Sequence, residues 1–332
     1  MSSGGCTGDT GATNERWVAL CGGIGGAKLA LGLARVLPPE ALTIVVNTGD
    51  DFRHLGLHVS PDIDTVLYTL AGMSNRELGW GLEGETWSFM DGLARLGGPT
   101  WFRLGDKDLA THAVRTTMLS EGRTLSDVTD HLRLHLGIGP TVVPMSDQPV
   151  ATVIETDEGM LAFQTYFVGR KAEPRIRAIH FDGAAAADPA PAARAALDHP
   201  DLAGIIVCPS NPWLSIDPIL AVPGWRACMT HRRVPCVAVT PLVGGLAIKG
   251  PTAKIMAELG LPLDVAAIVA HYAGLIDGLV LDTVDADRAG ALPIATHVTN
   301  TIMRTLEDRM ALGREALGFC RRLRQRTPET DA

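Results

Sequence analysis

A glycine-rich turn near the start of the chain contains residues that are well suited to binding a ligand. Its four glycines lie between an apolar run and a stretch with leucines at helical spacing; they are Gly22, Gly23, Gly25 and Gly26. Glycine lets the backbone approach a phosphate, and the start of a helix favours negative charge. The spacing matches neither G-x-G-x-x-G nor a P-loop, because Lys28 takes the third glycine's place and Ala27 separates it from Gly26. The turn predicts phosphate binding; a tight turn without ligand is the alternative.

Oxygen ligands gather after the second apolar run. Four polar residues follow it directly: Asn47, Thr48, Asp50 and Asp51. Asp64 lies near the start of the next predicted helix, directly after the core-facing Ile63. Magnesium prefers such ligands, so these carboxylates are expected to converge on one cation. A ribose contact or a solvated turn explains the first group equally well, and Asp62 is as readily explained by the dipole of its own helix.

Three further segments suit ligand loops. Arg103–His112 alternates basic and acidic residues after an aromatic pair; Asp106 in it is expected either to cap the next helix or to contact a planar, polar ligand, while His112 receives no role. Ser210 and Asn211 follow an apolar run, as does the stretch 241–251. Turn-forming residues in a loop without a ligand are the alternative for each segment. Their shared position after predicted strands favours a common site.

Predicted strands and helices alternate along the chain and must position these residues. Strands are predicted at 17–21, 42–46, 204–208, 235–240 and 279–283, the last as the final core strand, with a helix from about 27 to 37 and another from Ser60–Pro61. Strand–helix–strand units belong to parallel sheets covered by helices, and their ligands bind beyond the carboxyl ends of the strands. The pattern predicts an α/β, Rossmann-like three-layer fold.

Two antiparallel strands, 150–156 and 160–168, are expected as an inserted hairpin because Asp157-Glu158-Gly159 forms a turn between them. The tail, 299–326, reads as an amphipathic helix with Leu306 among its inward residues. We expect one domain over 16–326, preceded by a disordered leader at 1–15 that is rich in glycine, serine and threonine.

Composition limits the partners. The chain has 332 residues, 46% hydrophobic and 20% charged, and its 29 basic and 37 acidic residues give a net charge of −8. That balance argues against nucleic acid. No apolar run reaches membrane length, and six cysteines without metal spacing suit a reduced, cytoplasmic protein. Because no nucleophile–base motif is present, catalysis by positioning and metal electrostatics is expected rather than covalent catalysis.

Taken together, the segments resemble one family. The runs Gly22–Lys28, Asn47–Asp51, Ser60–Val66, Leu104–His112, Pro209–Pro212 and Lys249–Pro251 occur in the order seen in the 2-phospho-L-lactate and phosphoenolpyruvate transferases (CofD/FbiA) of coenzyme F-420 biosynthesis. Pro144–Asp147 and Gln164–Gly169 fit as well. The resemblance covers about 17–324.

The resemblance implies a reaction. A guanosine diphosphate ester, lactyl-2-diphospho-guanosine or its enolpyruvyl counterpart, would donate its substituted phosphate to the deazaflavin alcohol Fo (7,8-didemethyl-8-hydroxy-5-deazariboflavin), giving F-420-0 or its dehydro form and GMP. Asp64 and Arg103 would contact Fo, and Asp50 and Asp64 would hold Mg²⁺. Asp64 is also a candidate base, and Asp64→Asn is predicted to abolish GMP release and leave the protein folded.

The resemblance also implies roles for the remaining segments. The glycine turn with Lys28, the stretch Asn47–Asp51, Asp106, and the pair Ser210-Asn211 would bind substrate, and a homodimer is expected. Two competing hypotheses are a non-catalytic regulator of related fold that binds nucleotide sugars, and a nicotinamide dehydrogenase. The acidic pair Asp50-Asp51 and the segment Leu104–His112 favour the transferase over the first, and the failed glycine spacing disfavours the second.

Overall fold

The computed structural model describes residues 14–75, 79–247 and 251–326. The predicted leader therefore falls almost wholly outside the described residues, as do Lys249 and Gly250. The strands are β1 (Arg16–Cys21), β2 (Leu42–Val46), β3 (Phe52–His54), β4 (Leu57–Val59), β5 (Thr141–Pro144), β6 (Ala151–Thr156), β7 (Gly159–Ala162), β8 (Ile176–Asp182), β9 (Leu202–Val207), β10 (Cys236–Val239), β11 (Leu242–Val243), β12 (Leu246–Ala247), β13 (Gly278–Asp282) and β14 (Ala295–Thr299).

Helices connect most of these strands. They are α1 (Gly23–Val36), α2 (Pro61–Leu70), α3 (Ser88–Arg95), α4 (Asp108–Ser120), α5 (Leu125–His135), α6 (Pro191–Leu197), α7 (Asp217–Ala221), α8 (Pro223–Thr230), α9 (Thr252–Glu258), α10 (Val265–His271) and α11 (Leu306–Arg326). Among the described residues, no helix combines the length and the apolar character needed to cross a bilayer.

The main sheet has seven strands in the order β14-β13-β10-β9-β1-β2-β5, and each neighbouring pair is parallel. From β1 the chain moves outward through β2 to β5, then returns to β9 on the other side of β1. The strand order thus reverses between β1 and β9. In open α/β sheets a crevice for ligands lies at the carboxyl ends of strands at such a point.

Helices cover both faces of this sheet. Alternate side chains of β1 enter different apolar cores: Trp17, Ala19 and Cys21 pack with α1, α2, α5 and α11, whereas Val18 and Leu20 face the side that holds α6 to α10. Both sets are buried because the strands are covered on two sides, as parallel strands generally are. The predicted three-layer α/β fold is confirmed.

The inserted antiparallel piece is also present, in part as predicted. β6 pairs with β7 across the turn at 157–158 and with β8 on its other edge. The second predicted strand, 160–168, is wrong beyond Ala162, because Thr165–Gly169 forms a short π-helical segment. That segment buries Tyr166 and brings Gln164, Phe167 and Val168 to the cavity described below.

Three other boundaries differ from the sequence prediction. β13 is not the last core strand, because β14 pairs beyond it. β5, a four-residue edge strand, escaped prediction since its apolar run is short. α11 starts at Leu306 rather than 299; the residues before it form β14 and a loop, which leaves Leu306 exposed.

Close contact between α1 and α11 depends on Gly32. A Cβ on Gly32 would overlap the backbone carbonyl of Arg309 in α11. Gly32→Ala is therefore expected to destabilise the fold by about 1–3 kcal/mol through overpacking. Gly92, inside α3, has nothing within 4 Å of an added Cβ. As a control, Gly92→Ala should instead stabilise by about 0.5–1 kcal/mol, and urea unfolding of both variants measures the contrast. Equal effects would contradict this account of the helix contact.

Candidate functional site

A cavity of about 840 Å³ lies at the carboxyl ends of the central strands. Gly22 follows β1, Asn47 and Asp50 follow β2, and Ser210 follows β9, so the crevice forms where the strand order reverses. Ten of the residues predicted from the sequence line it: Gly22, Gly23, Gly25, Lys28, Asn47, Asp50, Asp64, Arg103, Ser210 and Asn211. The topology therefore brings most of the predicted residues to one place.

Four predicted residues are outside the described lining. Gly26 packs closely against Cys21 and Ser210, where a Cβ would not fit. Thr48 is buried, and Asp51 turns away to accept hydrogen bonds from Ser60 Oγ at 2.7 Å and from His58 Nε2 at 3.1 Å. Asp106 is the fourth and has a clear structural role.

Asp106 does not cap the helix that follows it. α4 begins after Lys107, with Glu85 accepting from the amides of Lys107 and Asp108. Asp106 instead accepts from the amides of Ser88 and Phe89, at 3.0 Å each, and so caps α3 across a loop. The two carboxylates cap each other's helices, which corrects the predicted cap.

The glycine turn is the first turn of α1 rather than a loop before it, since the helix begins at Gly23. The φ of Gly23 is +64°, a region that favours glycine. A Cβ at Gly22 would overlap Asp62, and one at Gly25 would overlap the Pro209 carbonyl. The glycines are thus required by close approach as well as by backbone conformation.

Two amides of this turn already have acceptors. Gly22 N–H donates to Ser210 Oγ at 3.0 Å, and the Ser210 hydroxyl donates back to the Gly22 carbonyl at 2.8 Å. Gly23 N–H donates to Asp62 Oδ1 at 2.7 Å. An incoming phosphate would therefore meet the next residues, Ile24 and Gly25, which also line the cavity.

Asp62 is a lining residue that sequence reasoning did not select. It complements the start of α1, not only its own helix, and accepts from Asn47 Nδ2 at 2.9 Å. Burial raises its pKa to about 6, against the hydrogen bonds from Asn47 and Gly23 that lower it. Its position in the first turn of α2 allowed a dipole explanation from the sequence, which does not show the long-range contact with Gly23.

Asp50 is the most weakly partnered carboxylate of the acidic group. Among the described residues its side-chain partner is Asn47 Nδ2, at the long distance of 3.5 Å. Burial, followed by the charges of Asp62 and Asp51, raises its pKa well above the ordinary range. Burial likewise raises the pKa of Asp51, against the hydrogen bonds of His58 and Ser60. This concentration of carboxylate favours a cation beside Asp50.

Asp64 is held differently, by a buried arginine. Both of its oxygens contact the guanidinium of Arg115, with Nη1 3.1 Å from Oδ2. Arg115 is 0% exposed, and its Nη1 also donates to His112 Nδ1 at 3.2 Å. Burial alone would lower the pKa of Arg115, but the charge of Asp64 raises it overall. Contact through both oxygens fixes the orientation of the Asp64 carboxylate.

The contacts continue from His112 to Asp108 and from Asp108 to Tyr68. His112 Nε2 is 3.2 Å from Asp108 Oδ2, and the Tyr68 hydroxyl donates to Asp108 Oδ1 at 2.5 Å. Burial would raise the pKa of Asp108, yet contacts with His112, Tyr68 and Arg115 lower it. Tyr68, Asp108 and His112 all line the cavity. We call the chain Tyr68–Asp108–His112–Arg115–Asp64 the buried polar chain.

Asp64, Asp108 and His112 have ligand atoms within 4.8 Å of one another, as a metal site would. A cation shared by the three would lie against the guanidinium of Arg115, which already donates to His112 and Asp64. Like charges at this separation repel strongly in a buried setting. A cation next to Asp50 would meet carboxylates instead, so that position fits the predicted metal better.

Aromatic side chains form another wall of the cavity, the aromatic wall. Phe52, His54, Trp101 and Phe102 make a cluster of tilted and edge-on rings, with Phe52 and Phe102 centroids 4.8 Å apart. Trp101 and Phe102 line the cavity, as do Trp80 and Phe167, and Trp101 remains 39% exposed. Arg103 lies over the ring of Trp87 at 3.9 Å. Such a wall suits a flat aromatic ligand with polar substituents.

The family model described as "2-phospho-L-lactate transferase CofD" matches residues 17–305. The chain belongs to the CofD family. Similar proteins include a phosphoenolpyruvate transferase of Streptomyces griseus, 42% identical over 93% of this chain and 99% of the relative. A 2-phospho-L-lactate transferase of Methanocaldococcus jannaschii is 38% identical over 91% of this chain and 97% of the relative.

A solved structure supports the fold. A UPF0052-family protein from Bacillus halodurans superposes with a TM-score of 0.61 at 15% identity, over 91% of this chain and 99% of that protein. At this identity the likeness concerns architecture alone. The predicted membership in the CofD family is confirmed, and the chain is a transferase enzyme of that family.

Within this CofD-family site, sequence reasoning missed part of the buried polar chain. Tyr68 stands four residues after Asp64 on α2, and Asp108, His112 and Arg115 are spaced i, i+4 and i+7 on α4. Residues at this spacing share a helix face. A polar stripe on a helix that must pack against another was the available signal, but nothing in the sequence shows which helix it faces.

Proposed function

We propose that this enzyme transfers a phospholactyl or phosphoenolpyruvyl group from a guanosine diphosphate ester to Fo, in coenzyme F-420 biosynthesis. The observation that supports it most is that one cavity joins a glycine turn, a carboxylate cluster and an aromatic wall. A diphosphate, a divalent cation and a flat ring system each find a matching surface there. The names of the similar proteins supply the substituted phosphate as the transferred group.

The glycine turn and Lys28 are proposed to hold the diphosphate. Ile24 and Gly25 line the same cavity, at the positive end of α1. Ser210 and Asn211 shape the neighbouring loop: Asn211 Oδ1 accepts from the amides of Trp213 and Leu214, at 3.0 Å each. Contact between this loop and the guanosine part stays a prediction.

On the acceptor side, the deazaflavin ring is proposed to lie along the aromatic wall with Arg103 near its polar edge. The terminal ribityl hydroxyl would then reach Asp64. A carboxylate has about four lone-pair sites, of which Arg115 occupies two, so Asp64 can still accept a hydrogen bond from the hydroxyl. This geometry allows Asp64 to orient the nucleophile.

The transfer exchanges one phosphorus–oxygen bond for another. The hydroxyl oxygen forms a bond to the phosphorus that bears the lactyl or enolpyruvyl group, and its proton passes to Asp64. The bond from that phosphorus to the bridging oxygen breaks, and GMP leaves with the electron pair. Little covalent chemistry is asked of the protein, since alignment and charge neutralisation supply most of the acceleration in phosphoryl transfer.

Magnesium is proposed as the cofactor, with Asp50 and Asp64 as its ligands. Asp50 fits a hard cation because its side chain has no basic partner among the described contacts, whereas Asp64 is paired with Arg115 and would contribute a lone pair that the guanidinium leaves free. When bound, the ion would neutralise diphosphate charge. A cytoplasmic homodimer that binds small molecules, without nucleic acid or membrane partners, completes the proposal.

The decisive experiment is incubation with Fo, Mg²⁺ and each guanosine diphosphate ester in turn, with mass detection of GMP and the deazaflavin product. We expect one product for the preferred donor, and which ester reacts faster identifies the three-carbon acid. Binding of both substrates without GMP would refute the transfer and favour a non-catalytic binding protein.

Removal of divalent cations gives a separate expected outcome. Treatment with EDTA should lower turnover by at least about 100-fold, because metal neutralisation of phosphate charge is worth several kcal/mol. Magnesium in excess of the chelator should restore it, and K⁺ at equal ionic strength is the control. Full turnover in EDTA would remove Mg²⁺ from the proposal and leave the substrates unchanged.

A further inference from the structure

The buried polar chain has a feature that the transfer reaction alone does not explain. Asp64 faces the cavity at one end, and its orientation is fixed from behind by Arg115, which has no exposure to solvent. Arg115 is itself contacted by His112 and by the His58 carbonyl, 3.4 Å from Nη1. The contacts span two helices, α2 and α4.

The contact between Arg115 and His112 has a defined direction. A guanidinium can only donate, so His112 Nδ1 accepts from Arg115 Nη1 at 3.2 Å. The other ring nitrogen, Nε2, lies 3.2 Å from Asp108 Oδ2. The ring therefore lies between Arg115 and Asp108.

We propose that Arg115 and His112 are positioning residues that hold Asp64 with its free lone pairs toward the acceptor hydroxyl. The guanidinium fixes the plane of the Asp64 carboxylate by contacting both oxygens. His112, which accepts from Arg115 and lies 3.2 Å from Asp108, restricts the movement of the guanidinium. The inference rests on the proposed function, because it assigns to Asp64 the role of orienting the nucleophile.

A lysine at 115 tests the geometry and keeps the charge. Arg115→Lys supplies a point charge instead of a fork, so the carboxylate can rotate. Misplacement by about 1 Å can cost about 100-fold in rate. We expect kcat to fall about 100-fold and KM for the guanosine donor to change less than about threefold, because the donor would be held mainly by the glycine turn and the ion beside Asp50.

A double-variant cycle shows whether Arg115 acts through Asp64. In an Asp64→Asn background, adding Arg115→Lys should lower the residual kcat by less than about threefold, since the group to be positioned is already altered. Arg232→Lys is the matched control: Arg232 is also largely buried and pairs with Asp277 at 2.6 Å, outside the cavity lining. It should lower thermal stability and leave kcat unchanged.

A second pair of variants keeps the test decisive if Arg115→Lys does not fold. Asparagine at 112 can offer an oxygen near the place of Nδ1, whereas glutamine reaches the place of Nε2 and leaves Arg115 without that acceptor. His112→Asn should retain kcat within about threefold, and His112→Gln should lose about 10-fold or more, as positioning by a single contact allows.

The outcomes separate the two levels of the proposal. Absence of turnover in the parent protein refutes the proposed function before any variant is made. With the parent active, wild-type kcat in Arg115→Lys overturns the positioning role. Equal losses in His112→Asn and His112→Gln, or additive losses in the cycle, overturn it as well. A kcat loss confined to Arg115→Lys and His112→Gln, with donor KM intact, supports it.

Discussion

Asp50→Asn is expected to lower turnover by about 1,000-fold while raising the stability of the metal-free protein. The loss of activity follows from the proposed role of Asp50 as a metal ligand, since groups that stabilise phosphoryl charge are worth about 10²–10³-fold each. The gain in stability follows from the same carboxylate. It is buried and repelled by Asp62 and Asp51, so its charge is costly in the folded state.

The contribution of Asp50 to the stability of the folded protein depends on pH. The pKa of Asp50 is raised in the folded state, so the folded protein binds its proton more tightly than the unfolded chain does. Stability from this group is present at low pH and declines as pH rises from the unfolded pKa toward the folded one. Asparagine lacks the charge, so the excess stability of Asp50→Asn should be largest at neutral pH and vanish in acid.

Thermal unfolding at several pH values, with and without Mg²⁺, measures this effect. Magnesium should raise the midpoint of the parent protein and leave Asp50→Asn nearly unchanged, because the ion stabilises only a state that binds it. Asp130→Asn is the control, since the Asp130 side chain is half exposed and its pair with Arg133 is expected to contribute little. A variant that is less stable than the parent at neutral pH would show that the charge of Asp50 is already compensated.

The sequence predicts the parallel sheet and the edge at which the site lies, but not the order of the strands. A parallel α/β sheet follows from alternating apolar runs and helical spacing, and that prediction also places the glycine turn, Asn47 and Ser210 at one edge. Strand order remained open, because the sequence does not show on which side of β1 the chain returns. That return places the loop after β9 beside the glycine turn.

Side-chain partners across elements were the other missing part. Asp106 was expected to cap the next helix and Asp62 to complement the dipole of its own, yet each accepts from the start of a different helix. Local capping rules identify a residue that favours helix starts, but not which start it reaches. Arg115 was missed for the same reason, since its partner Asp64 is 51 residues away. Local pattern fixes residue types, and tertiary packing selects the pairs.

Asp64→Asn is expected to lose both activity and stability, the opposite stability change from Asp50→Asn. Sequence reasoning predicts a folded, inactive variant, but the structure adds a cost. Asparagine leaves the buried guanidinium of Arg115 without its ionic partner. Removing one member of a buried pair costs about 3–5 kcal/mol, because the remaining charge is uncompensated. The loss of GMP release should reach about 1,000-fold or more, since Asp64 is proposed both to orient the nucleophile and to take its proton.

A second substitution separates the two losses. Asp64→Asn combined with Arg115→Met removes both charges at similar volume, and replacing a buried ion pair by neutral groups is often close to neutral in stability. The double variant should therefore regain most of the urea midpoint and none of the turnover. Recovery of turnover together with stability would mean that Asp64 serves the fold alone, and the proton acceptor would then have to be sought among the other carboxylates of the cavity, with Asp50 and Asp62 next to be tested.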